Sequence, residues 1–382
     1  MQRRERGGAW LLVLVSVFAL SRAIAGLGWI DAERLGAAGG PTTLALDDFT
    51  GRVFVGSWNA QTVVATDRPG AIQGVTLVRG HRPAALAWSP RERMLFFVCY
   101  SRDHVCAVHD APDPTPPDCF CPESGDSASR RWQRCEARHS PFTVPEGGFE
   151  GQVETLVREP TSGALVTIAG HIGSGVGFHK DFAWLTALAW NGHELETRAP
   201  GVDLAGPYHD HNALPLTMRG ASGPLLLVRP SAASLVEIAW PGLTTLREVK
   251  VGSLPLAIVA LADGERYWIA DGARPQILEI AASTLAVRRR LSVPEPVSVL
   301  ALDASRAEVW AVSRAGDRAD ALAVDSGEIV RHVDVRKPSA AVVDESRRAL
   351  WIASLGDGQL HRVELEGAGA PLARAERGSP AP

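Results

Sequence analysis

Between Pro255 and Glu366 one unit is written three times, and this repeat constrains the chain more than any other feature. PLAIVALADGERYWIADGARPQILEIAASTLAVRRRLSV is followed by PVSVLALDASRAEVWAVSRAGDRADALAVDSGEIVRHVDV and then PSAAVVDESRRALWIASLGDGQLHRVELEG. Pro255, Pro296 and Pro338 stand 41 and 42 residues apart, and Trp268, Trp310 and Trp351 stand 42 and 41 apart, so two independent markers keep one period. Four strands of about six residues plus four turns consume about 40 residues, which is the length of a β-propeller blade.

The phase extends to the other end of the chain. Pro41 and Pro83 open units of the same form, and the thirteenth residue after the proline is large and aromatic at Phe54, Phe96, Trp268 and Trp351, with Trp310 one place further on. Within a unit an apolar run, a polar turn such as Thr50-Gly51 or Asp263-Gly264, a second apolar run and a short loop lead to a third strand. Proline suits the first position because no ladder hydrogen bond need be donated there. The phase returns at Gln152, followed thirteen residues on by Leu165, and at Asn212, followed by Leu225. Starts at 41, 83, 152, 212, 255, 296 and 338 predict an all-β, seven-bladed propeller of four-stranded blades over residues 26–366. Such a chain is one domain, since each repeat adds its own slice of core. The last unit shows three strands before the Gly-, Ala- and Pro-rich tail 367–382, so the lead-in 26–40 is expected to supply the fourth and close the ring by pairing the two chain ends. The repeated aromatics are expected to fill the space between sheets.

Residues 1–25 read as an export signal: a basic MQRRERGG, the apolar AWLLVLVSVFALS, and a small-residue exit at Ala23 and Ala25. An uncleaved anchor is the alternative, and membrane association is expected only in that case. The location implied is periplasmic or secreted. Loss of the segment takes the net charge from -4 to -7. A mildly acidic surface argues against nucleic acid, whose binding needs a basic face. The propeller is expected to act as a monomer.

All five cysteines lie between 99 and 135, which fits a local disulfide framework. Cys99 and Cys106 flank YSRDHV and suit a cross-hairpin bridge. The segment 110–148 breaks the period; its Pro, Ser, Asp and Cys content reads as a stapled loop or a flap, the place where function most often resides. Cys99, Cys106, Cys121 and Cys135 are the expected bridge formers, with one thiol left over and the pairing open.

The last three units, each with proline, an apolar run, a turn, a strand carrying YWIA, VWAV or LWIA, and a third strand, resemble YVTN-type repeats of YncE-like seven-bladed propellers. That resemblance implies a shape and an exported location; the family is functionally mixed.

In a propeller, the loops leading into the first strand and the loops joining second to third strand gather at one mouth of the channel. By the period, the leading loops carry His81, Arg82, Glu150, Gln152, His209, His211, Asn212 and Glu295. The second-to-third loops carry Trp58, Asn59, Arg102, His104, His171, His179, Arg229, Arg274, Arg314, Arg318 and Asp357. From these a ligand site is expected at Trp58, Asn59, His81, Arg102, His104, Arg229, Arg274, Arg314 and Asp357. A divalent metal is the one cofactor the residues suggest: His209 and His211 flank Asp210 in PYHDHN, and His171, His179 or Glu150 would complete the set. Solvent-exposed loop histidines are the simpler account. Glu150 and Asn212 are also similar to the acid and amide that hold a divalent ion in propeller lactonases. A zinc site at Cys119, Cys121, Cys135 and His139 is a poor match to known spacing. No C-x-x-C-H or G-x-S-x-G occurs, and GHIGSGVG lacks the trailing Lys of a phosphate loop.

Two functions follow. The first is an exported binding or scaffold propeller offering a polar funnel to a protein or small-molecule partner. The second is a metal-dependent hydrolase or lyase at the same mouth.

Overall fold

The computed structural model describes residues 41–57, 61–68, 71–77, 83–99, 105–109, 118–122, 132–135, 152–171, 182–203, 215–220 and 222–365. Seven antiparallel sheets follow one another: 41–77, 83–135, 152–203, 216–250, 255–292, 299–334 and 338–364, here blades 1 to 7. Within each sheet the strands pair in chain order, so every blade is a meander. The single turn Ala304–Arg306 is the only helix among the described residues, and no helix among them is long and apolar enough to cross a membrane.

The first strands of successive blades touch from blade 1 to blade 7, and blade 7 packs back on blade 1. Ser339 Oγ of blade 7 donates to the Pro41 carbonyl of blade 1 at 2.5 Å. The expected closing strand from 26–40 lies outside the described residues, as do the signal segment and the tail. Blade 7 has three strands among the described residues.

Five of the repeated aromatics occupy the third position of a second strand and are buried: Phe54, Phe96, Trp268, Trp310 and Trp351. Each faces the next blade; Trp268, for example, packs with Val309, Ala311 and Leu322 of blade 6. Burying such side chains contributes about 1.5–3 kcal/mol each, so the aromatics are the cement between sheets. Trp310 comes one place late because the structural counterpart of the opening proline is Val297, not Pro296. Thr42, Ser298 and Ser339 each donate a side-chain hydrogen bond to the carbonyl fourteen residues on, which aligns the three first strands.

Blades 3 and 4 correct the phase by one residue. Leu165 and Leu225 point back at the preceding blade, while Val166 packs against blade 4 and Leu226 against blade 5. Adjacent strand residues face opposite sides, so a one-residue slip exchanges the two interfaces. The blade 4 first strand also begins later than expected, at Leu216.

The segment 110–148 departs from the expected loop. Asp118–Pro122 pairs with the third strand of blade 2, and Trp132–Cys135 adds a fifth strand beyond it. The disulfide is corrected with it. Cys106 is bonded to Cys119, the cysteine expected to be left over, and not to Cys99. Register supplies the reason: Cys106 lies directly opposite Cys119 on one neighbour and opposite Phe97 on the other, whereas Cys99 is two residues beyond Phe97. Directly opposed residues hold their Cβ atoms about 4.5–5.5 Å apart, closer at non-hydrogen-bonded pairs, so only a small adjustment reaches the roughly 3.5–4.5 Å a disulfide needs. Residues two places out of register cannot reach it. Along the outer pair Cys121 faces Gln133 and Cys135 faces Cys119 in backbone register, so Cys121 and Cys135 are not opposed.

Candidate functional site: the mouth of blades 5 to 7

The mouth is organised by the residue three places after each tryptophan. Asp271, Ser313 and Ser354 end their second strands, are buried, and bridge two loops of their own blade. Asp271 accepts the backbone N–H groups of Ser253 (3.1 Å) and Leu254 (3.0 Å) from the leading loop. It also accepts those of Ala273 (3.2 Å) and the Gln276 side chain (2.9 Å) from the second-to-third loop. Burial alone would raise its pKa; the Gln276 and backbone hydrogen bonds outweigh burial and hold the carboxyl below its usual range. Ser313 Oγ donates to the Pro296 carbonyl at 2.7 Å and accepts Gly316 N–H at 3.0 Å. Ser354 Oγ donates to the Arg336 carbonyl at 2.6 Å and accepts Asp357 N–H at 3.3 Å. One repeat position therefore fixes both loops of each blade.

Neighbouring blades are tied in turn. Lys337 N–H donates to Asp317 Oδ1 at 2.7 Å, and Val335 N–H to the Asp317 carbonyl at 3.0 Å, which seats the leading loop of blade 7 on the loop of blade 6. Lys337 has φ 42°, a left-handed conformation that a non-glycine residue adopts only where its surroundings impose it.

These loops line an open cleft of about 430 Å³. Its apolar part is Leu256, Pro296, Val297 and Ala315, with Ser298 and Gly272 beside them and the cations Arg314 and Lys337 at the edge. Gly272 keeps it open, since a Cβ there would lie 2.1 Å from Leu256 Cδ1. The volume falls within the usual range for small-molecule sites.

Among the expected ligand residues, Arg274, Arg314 and Asp357 stand on this mouth. Arg274 and Arg314 are exposed; Arg314 lines the cleft and Arg274 does not. Asp357 is turned to its own blade, where Oδ2 contacts His361 Nε2 at 3.0 Å and Oδ1 accepts Gln359 N–H at 3.1 Å. Burial works against the charged form, but the hydrogen bonds from His361 and Ser354 prevail and lower its pKa to about 2. Arg229 occupies the same strand-end position as Asp271, is buried, and pairs with Glu248 at 3.3 Å, so it braces the blade. Arg318 is likewise committed, with Nε 2.8 Å and Nη2 2.6 Å from the Asp320 carboxylate. Trp58, Asn59, His81, Arg82, Arg102 and His104 lie outside the described residues. So do Glu150, His179, His209, His211, Asn212 and His139. Of His171 the backbone ends the second strand of blade 3, and Gln152 opens the first. Among the described residues no group of three or more His, Cys, Asp or Glu could hold a metal ion.

Leu256, Val297, Ala315 and Lys337 were missed by reasoning from residue chemistry. Three of the four are apolar, and only their place between blades marks them. Lys337 alone carried a signal: it is one of three lysines among 39 basic residues, immediately before a blade-opening proline.

No protein-family model matches the chain. No curated protein sequence matches it either. Solved structures do. A catalytically inactive variant of virginiamycin B lyase from Staphylococcus aureus, solved with quinupristin, is similar with a TM-score of 0.58 at 12% identity, over 85% of this chain and 94% of that one. The likeness is one of fold. Selenomethionine-substituted virginiamycin B lyase from the same organism gives a TM-score of 0.56 at 13% identity, over 84% and 93%.

Proposed function

We propose that this chain is an exported binding or scaffold propeller of the YVTN type that takes a small molecule, or a short segment of a protein partner, at the mouth of blades 5 to 7. The observation that supports this most directly is the cleft itself, where loops of three blades converge on an apolar floor. Its walls are held by Asp271, Ser313 and Ser354, so the site is largely formed before a ligand arrives, which lowers the cost of binding. The disulfide within blade 2 agrees with an oxidising location. The test is ligand screening by thermal shift on the purified protein, with Ala315→Trp as a filled-cleft control. Ligands that stabilise the wild type and not the filled variant support the proposal. Stabilisation equal in both places the binding site elsewhere. Metal analysis of the same preparation, followed by His211→Ala, tests the hydrolase or lyase alternative.

A further inference from the structure

Most arginines in blades 4 to 7 are neutralised by neighbouring acids. Arg247 pairs with Glu237, Arg266 with Asp263, Arg289 with Glu279, Arg306 with Asp303, Arg331 with Glu308 and Arg347 with Asp344. Away from the mouth loops, Arg290 and Arg348 are also exposed with no side-chain partner among the described residues, but each stands singly; at the mouth the unpaired cations come as a group. Arg274, Arg314, Arg336 and Lys337 are exposed and make no side-chain hydrogen bond or ion pair with the described residues. The lining of the cleft contains two of them and no acid. Asp271, Glu295, Asp317 and Asp357 share the face but stand outside the lining; Asp271 is occupied by Ser253, Leu254, Ala273 and Gln276, Asp317 by the Lys337 backbone, and Asp357 by His361 and Gln359.

In a chain of net charge -4, leaving cations unpaired over a cleft concentrates positive potential where a ligand would enter. An apolar floor with cations at its edge complements one kind of molecule. We infer that the cleft binds an amphipathic anion, with a carboxylate or similar oxyanion held by Arg314 and Lys337 and an apolar body on Leu256, Pro296, Val297 and Ala315. The guanidinium fork of Arg314 matches the planar oxygens of a carboxylate, and Lys337 adds a second donor. This inference rests on the cleft being the binding site.

The test is calorimetric titration of the full mature protein with three probes: 4-phenylbutyrate, its neutral amide, and inorganic phosphate. The acid is expected to bind at least about tenfold more tightly than either other probe, with affinity falling as salt is raised. Arg314→Ala/Lys337→Ala, checked for an unchanged circular dichroism spectrum, should weaken the acid by at least about tenfold and leave the amide unaffected. Arg314→Lys/Lys337→Arg should restore part of the loss. Equal binding of acid and amide to the wild type overturns the inference, as does an unchanged affinity in the double alanine variant or no binding of the acid at millimolar concentration. Ala315→Trp separates the two layers. If acid and amide bind alike and both are lost in that variant, the cleft stands and the charge inference falls. If Ala315→Trp leaves acid binding intact, the cleft itself is wrong.

Discussion

The indole N–H of Trp268 donates to Glu279 Oε2 at 3.1 Å, and the same oxygen accepts Arg289 Nε at 3.0 Å. Arg289 then crosses to blade 6, donating to the carbonyls of Val324 at 2.6 Å and Asp325 at 2.8 Å. The Glu–Arg part of this clamp recurs 42 residues earlier, where Arg247 joins Glu237 at 2.6 Å to the carbonyls of Ala282 and Ser283 in blade 5. One period later Ala321 replaces the carboxylate, and the buried Trp310 N–H has no hydrogen-bond partner among the described residues. Glu279→Ala would strand the buried indole N–H and take the carboxylate from Arg289, which keeps its two carbonyls and is partly exposed. We expect it to cost about 1–3 kcal/mol in denaturant unfolding; no measurable loss would show the clamp to be idle.

Asp357 makes stability depend on pH in a defined window. Its folded pKa, about 2, lies below the ordinary 3.8. The carboxylate therefore stabilises the fold fully above about pH 4 and loses that contribution as pH falls toward 2. The shift sets an upper bound of roughly 2 kcal/mol, which solvent screening at this half-buried carboxylate reduces. The stability difference between wild type and Asp357→Asn should shrink across this interval, and a difference independent of pH would contradict the assignment.

Gly272→Ala should leave the fold standing while narrowing the cleft. The new methyl meets the end of the Leu256 side chain, which can swing aside, and no positive φ opposes the substitution. The expected cost is about 1–3 kcal/mol in stability. A ligand of the cleft should bind the variant more weakly, by titration; unchanged affinity would mean that Leu256 forms no part of its site.

Non-reducing peptide mapping should recover Cys106 joined to Cys119, and a fragment joining Cys99 to Cys106 would refute the register. The bond closes a loop of 13 residues in sequence separation. Cys119→Ser should therefore cost about 3 kcal/mol, read as a lower denaturation midpoint.

Much of this architecture was legible because repeats force the same residue into the same place. Prolines at 41, 83, 255 and 338 do open first strands, and the aromatic thirteen residues on is buried in each of those blades. Leu165 and Leu225 went astray because a run such as GPLLLVRP offers leucines to both sides of a sheet, and composition cannot say which faces forward. Arg229 was misjudged for a related reason. Its loop position suggested a ligand contact, but the end of a second strand is the brace position that Asp271, Ser313 and Ser354 also occupy. The signal was present at the third residue after each tryptophan.

The order of residues by itself determined the all-β class, the blade count and the aromatic cement, since these follow from a period and from side chains that must leave water. Tertiary structure alone decided that Cys106 meets Cys119, that Arg314 and Lys337 overlook an apolar cleft, and that Arg229 and Arg318 are already paired. Each of those facts is a distance between residues of different strands or blades. Such distances are set by register and by the angle at which sheets pack, and neither is written in local sequence.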